Sequence, residues 1–311
     1  MAKRALRLTM PVLGHVLGLG FEHLLAVQFV GGLLLLGIAA LLAERVFNDR
    51  TTAVPAVLAL SWSHPGNTCF TDPLGYFDGI AYLFLLLAMW SRMPVLITLC
   101  VLAAAFTDER GAVATGFVFL WWTYHAVEAT NPKERRAAYG RAAAVGVGAL
   151  LYGGLRLWLQ QHYGLNTPVG AETNVGWKTW SAIYPWIPLG LFSGLEFWWL
   201  VLLGAVVILF QSRRYLFLGA FAGLIIVQTG IAASVFDLTR STAYLTPSVF
   251  VALAVLRKEL AREESRMLLL GTCLSCLLFP NLSLIGDITS WHAPLPLQAL
   301  RWVMPLVISS N

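Results

Sequence analysis

The chain has 311 residues, of which 58% are apolar and only 12% charged, with 21 Lys and Arg against 16 Asp and Glu. A mean hydropathy of +0.71 is far above that of a water-soluble domain, and apolar stretches of about 20 residues, each able to cross a hydrocarbon layer roughly 30 Å thick as a helix, recur along it. The net charge of +5 comes with no aromatic–basic platform and no nucleic-acid-binding motif, which argues against nucleic acid as a partner.

In lipid every backbone N–H and C=O must be satisfied within the spanning element, and the alternation of a transmembrane barrel is absent. The expected fold is all-α: a polytopic transmembrane helical bundle of about nine to ten spans, one integral membrane domain over residues 1–311. The basic start, Lys3, Arg4 and Arg7, resembles a signal-peptide leader, but the apolar run behind it is too long for a signal core. Residues 5–22, broken by Pro11, His15 and Glu22, read as an interfacial helix. Spans follow at 23–42, 74–90, 94–106, 112–127, 142–159, 186–210, 216–235, 245–256 and 267–285. A last apolar piece, 295–309, is a surface segment or a tenth crossing. Outer loops are expected at about 44–73, 107–111, 160–185 and 236–244, and a polar inner loop at 131–141. Segment 53–60 is apolar but too short to cross. Small-residue spacings at Gly14/Gly18, Gly190/Gly194 and Gly219/Gly223 suit close helix packing.

With a cytoplasmic N-terminus, this layout gives one face 14 of the 21 basic residues, among them Arg7, Arg92, Arg141, Arg214, Lys258 and Arg262. The other face receives seven, including Arg45, Arg50, Arg110 and Arg240, so the positive-inside rule favours that orientation. Asp49, Asp72, Asp78, Asp108, Glu109, Asp237 and Asp287 then fall on the non-cytoplasmic side. The localisation expected is a multi-pass protein of a bacterial inner membrane.

Three clusters carry the candidate chemistry. Asp108-Glu109-Arg110 sits between two apolar runs. An acid there can act as a general base or metal ligand, and Arg110 can hold a phosphate through its forked guanidinium. The plainer reading is a charged turn capping the following helix. Asp237 and Arg240, three apart, can pair on one helical face or present the arginine to a lipid phosphate. Asp72 precedes Pro73 and suits a turn, whereas Asp78 lies inside a span, where ionisable groups tend to be functional. His64 and Asn67 can complete that site, or be solvated. Glu196, flanked by interface-type aromatics, reads as solvated near the outer surface. His125 and Glu128 fall at the cytoplasmic end of a span. Cys273 and Cys276 lie in an apolar run with no second pair nearby and read as packing. The Asn281-Leu-Ser283 triplet fits a glycosylation acceptor, a pattern common by chance. No Walker loop, zinc helix or serine-hydrolase elbow is present.

An outward acidic cluster early in a helical bundle, here Asp108-Glu109 with Asp72, Asp78 and Asp237-x-x-Arg240, resembles the GT-C class of integral membrane glycosyltransferases. The acidic motif of that class lies after the first span, not the third. A looser similarity is to membrane proteins of bacterial exopolysaccharide assembly. The resemblance implies a polyprenyl-phosphate-linked glycan as partner within the membrane lipid, and sugar transfer at the non-cytoplasmic face. In it Asp108, Glu109 and Asp78 would be catalytic, and Arg110, Asp237, Arg240, Asp72 and His64 would bind substrate, with a divalent cation as a possible cofactor. The alternatives are a transporter or flippase, or a non-catalytic scaffold subunit.

Overall fold

The structure, a computed structural model, describes residues 6–165, 176–285, 288–292 and 300–301. Lys3, Arg4, Asp287, the centre of the 160–185 loop and nearly all of 295–309 lie outside these. The described residues are helical almost throughout. In chain order they form α1 (Thr9–Leu17), α2 (Phe21–Phe47), α3 (Arg50–Trp62), α4 (His64–Thr71), α5 (Asp78–Trp90), α6 (Pro94–Thr107), α7 (Glu109–Glu128) and α8 (Pro132–Tyr163). There follow α9 (Trp177–Ile183), α10 (Ile187–Leu195), α11 (Trp198–Gln211), α12 (Tyr215–Ala233), α13 (Leu238–Thr242), α14 (Thr246–Glu259) and α15 (Arg262–Leu278). An antiparallel hairpin of β1 (Asn281–Ile285) and β2 (Ile288–His292) closes the described chain.

Three helices, α2, α8 and α12, are long and apolar enough to cross a membrane, and a bent pair over 178–211 makes a fourth if it is one span. α5 and α6 are apolar but shorter.

The helix boundaries correct several expectations. Residues 44–73 are not a loop. Asp49 caps α3 by accepting the N–H groups of Thr51 and Thr52, the usual way an N-cap satisfies orphan donors. Pro65 then starts α4 in its first turn. The polar stretch 131–141 is likewise the first third of α8, started by the Asn131 cap and Pro132. At 32 residues that helix is about 48 Å long. The expected span at 186–210 is broken, bending by 89° between Leu195 and Trp198. The span expected over 267–285 stops at Leu278, because Pro280 cannot continue it, and the hairpin follows.

Contacts sort the helix ends into two groups. At one end Arg262 meets Asp49 at 2.7 Å, Arg45 stacks over Trp90, Arg141 donates to the Arg92 carbonyl at 3.1 Å, and Glu128 pairs with both Arg214 and Lys258. At the other end Gln28 reaches the Asp72 carbonyl at 3.0 Å, Arg7 meets Asp108 at 2.7 Å, and Asp237 bridges to Ile285. Between the ends lies an apolar core that includes Leu85, Leu86, Phe117 and Trp121, all fully buried. The expected partition of charges therefore fails for the segments before α4. Arg7 lies with Asp108, not opposite it, while Arg45, Asp49 and Arg50 lie at the end of Arg92, Arg141 and Arg262, not with Arg110 and Arg240.

The small-residue spacings divide as well. A Cβ on Gly190 or Gly194 would fall 2.5 Å from Leu238 or 2.4 Å from Thr242, so these glycines let α10 close onto α13. Gly219 and Gly223 face open space. Gly194→Ala is expected to destabilise the protein by about 1–3 kcal/mol through overpacking, while Gly219→Ala leaves the unfolding midpoint in detergent unchanged or slightly raised.

Candidate functional site

Asp78, the first residue of α5, is fully buried and is the hub of the site. Its Oδ1 accepts from the Tyr244 hydroxyl at 2.8 Å and Arg110 Nη2 at 3.2 Å, and its Oδ2 accepts from Arg240 Nε at 2.5 Å. Asp108, also fully buried, caps α7. It accepts the Arg110 main-chain N–H at 2.9 Å and, through Nε and Nη2, grips the same guanidinium at 2.7 and 2.8 Å. Arg110 spends its remaining direction on Ser241 Oγ at 2.6 Å and lies over the Tyr244 ring. Arg240 pairs with Asp237 at 2.5 Å and lies 3.6 Å above the centre of the Tyr76 ring.

The surrounding chain holds these groups in place. Asp72 accepts the main-chain N–H groups of Leu74, Tyr76 and Phe77, and so forms the turn that carries Tyr76 to Arg240. Tyr82, one turn beyond Asp78 on α5, donates to the Arg240 carbonyl at 3.2 Å. The hairpin supports α13 from behind, where the Leu284 N–H donates to Thr239 Oγ1 at 2.9 Å. Asp72 is thus a turn former, the plainer of its two expected roles. His64 opens α4 with its main-chain N–H beside Glu196.

The sequence singled out Asp78, Asp108, Arg110, Asp237 and Arg240, and the structure brings all five together. It adds Arg7, Tyr76, Tyr82, Ser241 and Tyr244. Of these Arg7 carried the clearest signal, as an arginine heading an apolar run, but the assumed layout placed it on the wrong face. Tyrosines and serines give no such signal in a chain this rich in aromatics.

Glu109 differs from its neighbours. Its side chain is 39% exposed, and Arg7 touches it only at 3.4–3.5 Å. Beside it, Arg7, Met10, Pro11, Gly75, Tyr76, Phe77 and Thr107 line a cavity of about 160 Å³. A larger apolar groove of about 950 Å³ leads away from this point between α1, α2, α5 and α6, with Met10 shared by both.

Burial alone would push the Asp108 carboxyl up, but Arg110 and Arg7 outweigh it and hold the group well below the usual carboxylate range. Burial pushes the Asp72 carboxyl the other way, above its ordinary value. A depressed acid such as Asp108 contributes stability that is fully present above the unfolded value of about 3.9 and is lost as pH falls toward the folded value. Acid titration of the unfolding midpoint in detergent should therefore show a steep loss below about pH 4, and Asp108→Asn should flatten it.

Among the described residues no group of three or more His, Cys, Asp or Glu could hold a metal ion. No family model matches the chain, and no curated protein or solved structure shows a significant match to it.

Proposed function

We propose that this is a polytopic membrane enzyme of the glycosyltransferase kind, acting on a polyprenyl-phosphate-linked sugar at the non-cytoplasmic face, in cell-surface polysaccharide or glycolipid assembly. One observation carries the reading. Three arginines and four acids from chain segments far apart converge at one end of the helices, with a half-exposed carboxylate on Arg7, which lines a cavity that shares Met10 with an apolar groove.

The roles divide by burial. Asp78 and Asp108 are committed to arginines and act as positioning residues. Glu109 is the base that takes the acceptor hydroxyl proton. A lipid phosphate competes with Glu109 for Arg7, the more exposed of the guanidinium groups gripping Asp108. Its arrival frees Glu109 and places positive charge where the leaving phosphate develops negative charge. The apolar groove takes part of the lipid chain.

Orientation follows from the two ends. The end opposite the site carries Arg45, Arg50, Arg92, Lys133, Arg135, Arg136, Arg141, Arg213, Arg214, Arg257, Lys258, Arg262 and Arg266. Among the described residues the site end carries Arg7, Arg110, Arg156, Lys178 and Arg240. By the positive-inside rule the site end, where Arg7 lies, is non-cytoplasmic.

The test is sugar transfer by the purified protein in liposomes, offered a panel of polyprenyl-phosphate sugars and oligosaccharide acceptors. Transfer from any donor supports the reading, and its absence from all sinks it. A second reading, a structural role for the whole network in a scaffold subunit, is favoured by the fact that both oxygens of Asp78 and of Asp108 are already hydrogen-bonded.

A further inference from the structure

Outside the Asp78 network, Glu196, expected to be solvated, is instead fully buried beside the His64 main-chain N–H and the Cys276 thiol. Asn281 is buried with its amide on the Trp62 carbonyl, so it is no glycosylation acceptor in this fold. Unspent charge lies elsewhere, on three arginines at the opposite end of the helices.

Arg45 is in the last turn of α2, Arg92 in the turn between α5 and α6, and Arg141 in the first third of α8. The C-terminus of α5 brings them together. Trp121 and Trp122, on α7, donate their indole N–H groups to the Met89 and Ala88 carbonyls at 2.9 and 3.1 Å. These belong to the last turn of α5, where a helix leaves carbonyls without partners. The Trp122 ring so held carries the Arg141 guanidinium, 4.9 Å from its centre, and Trp90, the last residue of α5, carries that of Arg45 at 5.9 Å. Arg141 Nε donates to the Arg92 carbonyl at 3.1 Å.

No acid answers these charges. Among the described residues none of the three forms an ion pair, and beyond the Arg141 Nε bond their guanidinium groups meet no hydrogen-bond acceptor. The charges that act on Arg45 are those of Arg92 and Arg141, and the one that acts on Arg141 is that of Arg92. The carboxylates at this end are spent on other cations. Glu44 turns to Arg50 at 2.9 Å, Asp49 meets Arg262 at 2.7 Å, and Glu128 holds Arg214 and Lys258. His125, on which Arg45, Arg141 and Glu128 all act, keeps a buried Nε2 without a partner.

Like charges gathered without a counter-charge repel, and an anion relieves that repulsion. Stacking fixes two guanidinium planes while leaving donor edges unused, and that fork matches the oxygens of a phosphate. From the arginines toward mid-helix the surface is apolar. Leu41, one turn before Arg45, and Val95 and Leu99, just after Arg92, are exposed. A cationic rim over an apolar wall fits a phosphate that carries acyl chains, and basic pockets between membrane helices bind acidic headgroups.

We propose that Arg45, Arg92 and Arg141 form a binding site for a phosphate-bearing anion at the end of the helices away from the Asp78 network. The apolar wall favours the headgroup of an acidic phospholipid over free phosphate as its source. The site rests on the chain's lying in a membrane and is independent of the transferase reading. An anion bound there ties the ends of α2, α5 and α8 together.

The experiment uses the full-length protein in a neutral detergent at constant ionic strength, with dioctanoyl phosphatidylglycerol, dioctanoyl phosphatidylcholine and inorganic phosphate as separate probes. Phosphatidylglycerol should slow phenylglyoxal modification of Arg45, Arg92 and Arg141, mapped by mass spectrometry, at least several-fold. It should also raise the unfolding midpoint saturably, by roughly 5 °C at about a hundredfold over its dissociation constant. Phosphatidylcholine should do neither. Arg92→Gln, at an exposed position, and Arg141→Gln should each weaken the phosphatidylglycerol effect about fivefold in concentration. Equal protection by inorganic phosphate would support the site and make free phosphate its source. If neither anion protects these three arginines, or if protection is confined to Arg7 at the other end, the proposal is overturned. An unchanged phosphatidylglycerol affinity in both variants would overturn it as well. The labelling is done on the wild-type protein, so a variant that fails to fold leaves the test intact.

Discussion

Asp78→Asn should cost about 3–5 kcal/mol of unfolding free energy, because it leaves two buried guanidinium groups without their shared counter-charge. Arg110 and Arg240 are 8% and 9% exposed, and both donate to this one carboxylate. Asparagine preserves the shape but removes the charge, and its amide N–H groups would face donors where Asp78 offers only acceptors. Substituting one arginine as well, as in Asp78→Asn with Arg240→Met, should restore part of the loss, since removing both partners of a buried pair is milder than removing one. Thermal unfolding in detergent, measured on both variants, reads this directly. A single variant with the wild-type midpoint would mean that Asp78 does not organise the site.

Glu109→Gln should behave in the opposite way. The side chain is 39% exposed and, among the described residues, is paired with Arg7 at 3.4–3.5 Å, so stability should move by less than about 0.5 kcal/mol. Sugar transfer should fall by a factor of roughly 10² to 10⁴, the usual contribution of a positioned general base. Asp108→Asn should instead lower stability and activity together, because it frees both Arg7 and Arg110 from the carboxylate they share. If Glu109→Gln transfers sugar at the wild-type rate, the base lies elsewhere and the network is a structural staple.

Much of this site could be read from the chain because charge is so rare in it. Asp78, Asp108, Arg110, Asp237 and Arg240 stood out as ionisable residues in apolar surroundings, and burial of a charge needs a partner. What the chain could not announce were the groups that complete the network. Tyr244 and Ser241 are ordinary in composition and matter only through long-range contacts, 166 residues from Asp78 in the case of Tyr244.

The layout was less legible, for a local reason. Helix α3 contains Thr51, Thr52, Pro55 and Ser61, which dilute its hydropathy below that of a span, so it read as part of a loop. Missing one traverse near the start of the chain reverses the end assigned to everything before it. That is why Arg7 was expected on the face opposite Asp108 and is found 2.7 Å from it. The break at Glu196 was equally hidden, because the residues around it are as apolar as an unbroken span.

The proposed reaction requires the site end to face away from the cytoplasm. Cys69, Cys100, Cys273 and Cys276 are all buried, so a cysteine introduced at an exposed position reports alone. Lys178→Cys lies at the site end and Lys133→Cys at the opposite end, both at exposed residues. A membrane-impermeant maleimide applied to intact cells should label the cysteine at 178 and reach the one at 133 only after permeabilisation. Labelling at 133 with protection at 178 would put the Asp78 network at the cytoplasmic face and contradict the proposed reaction.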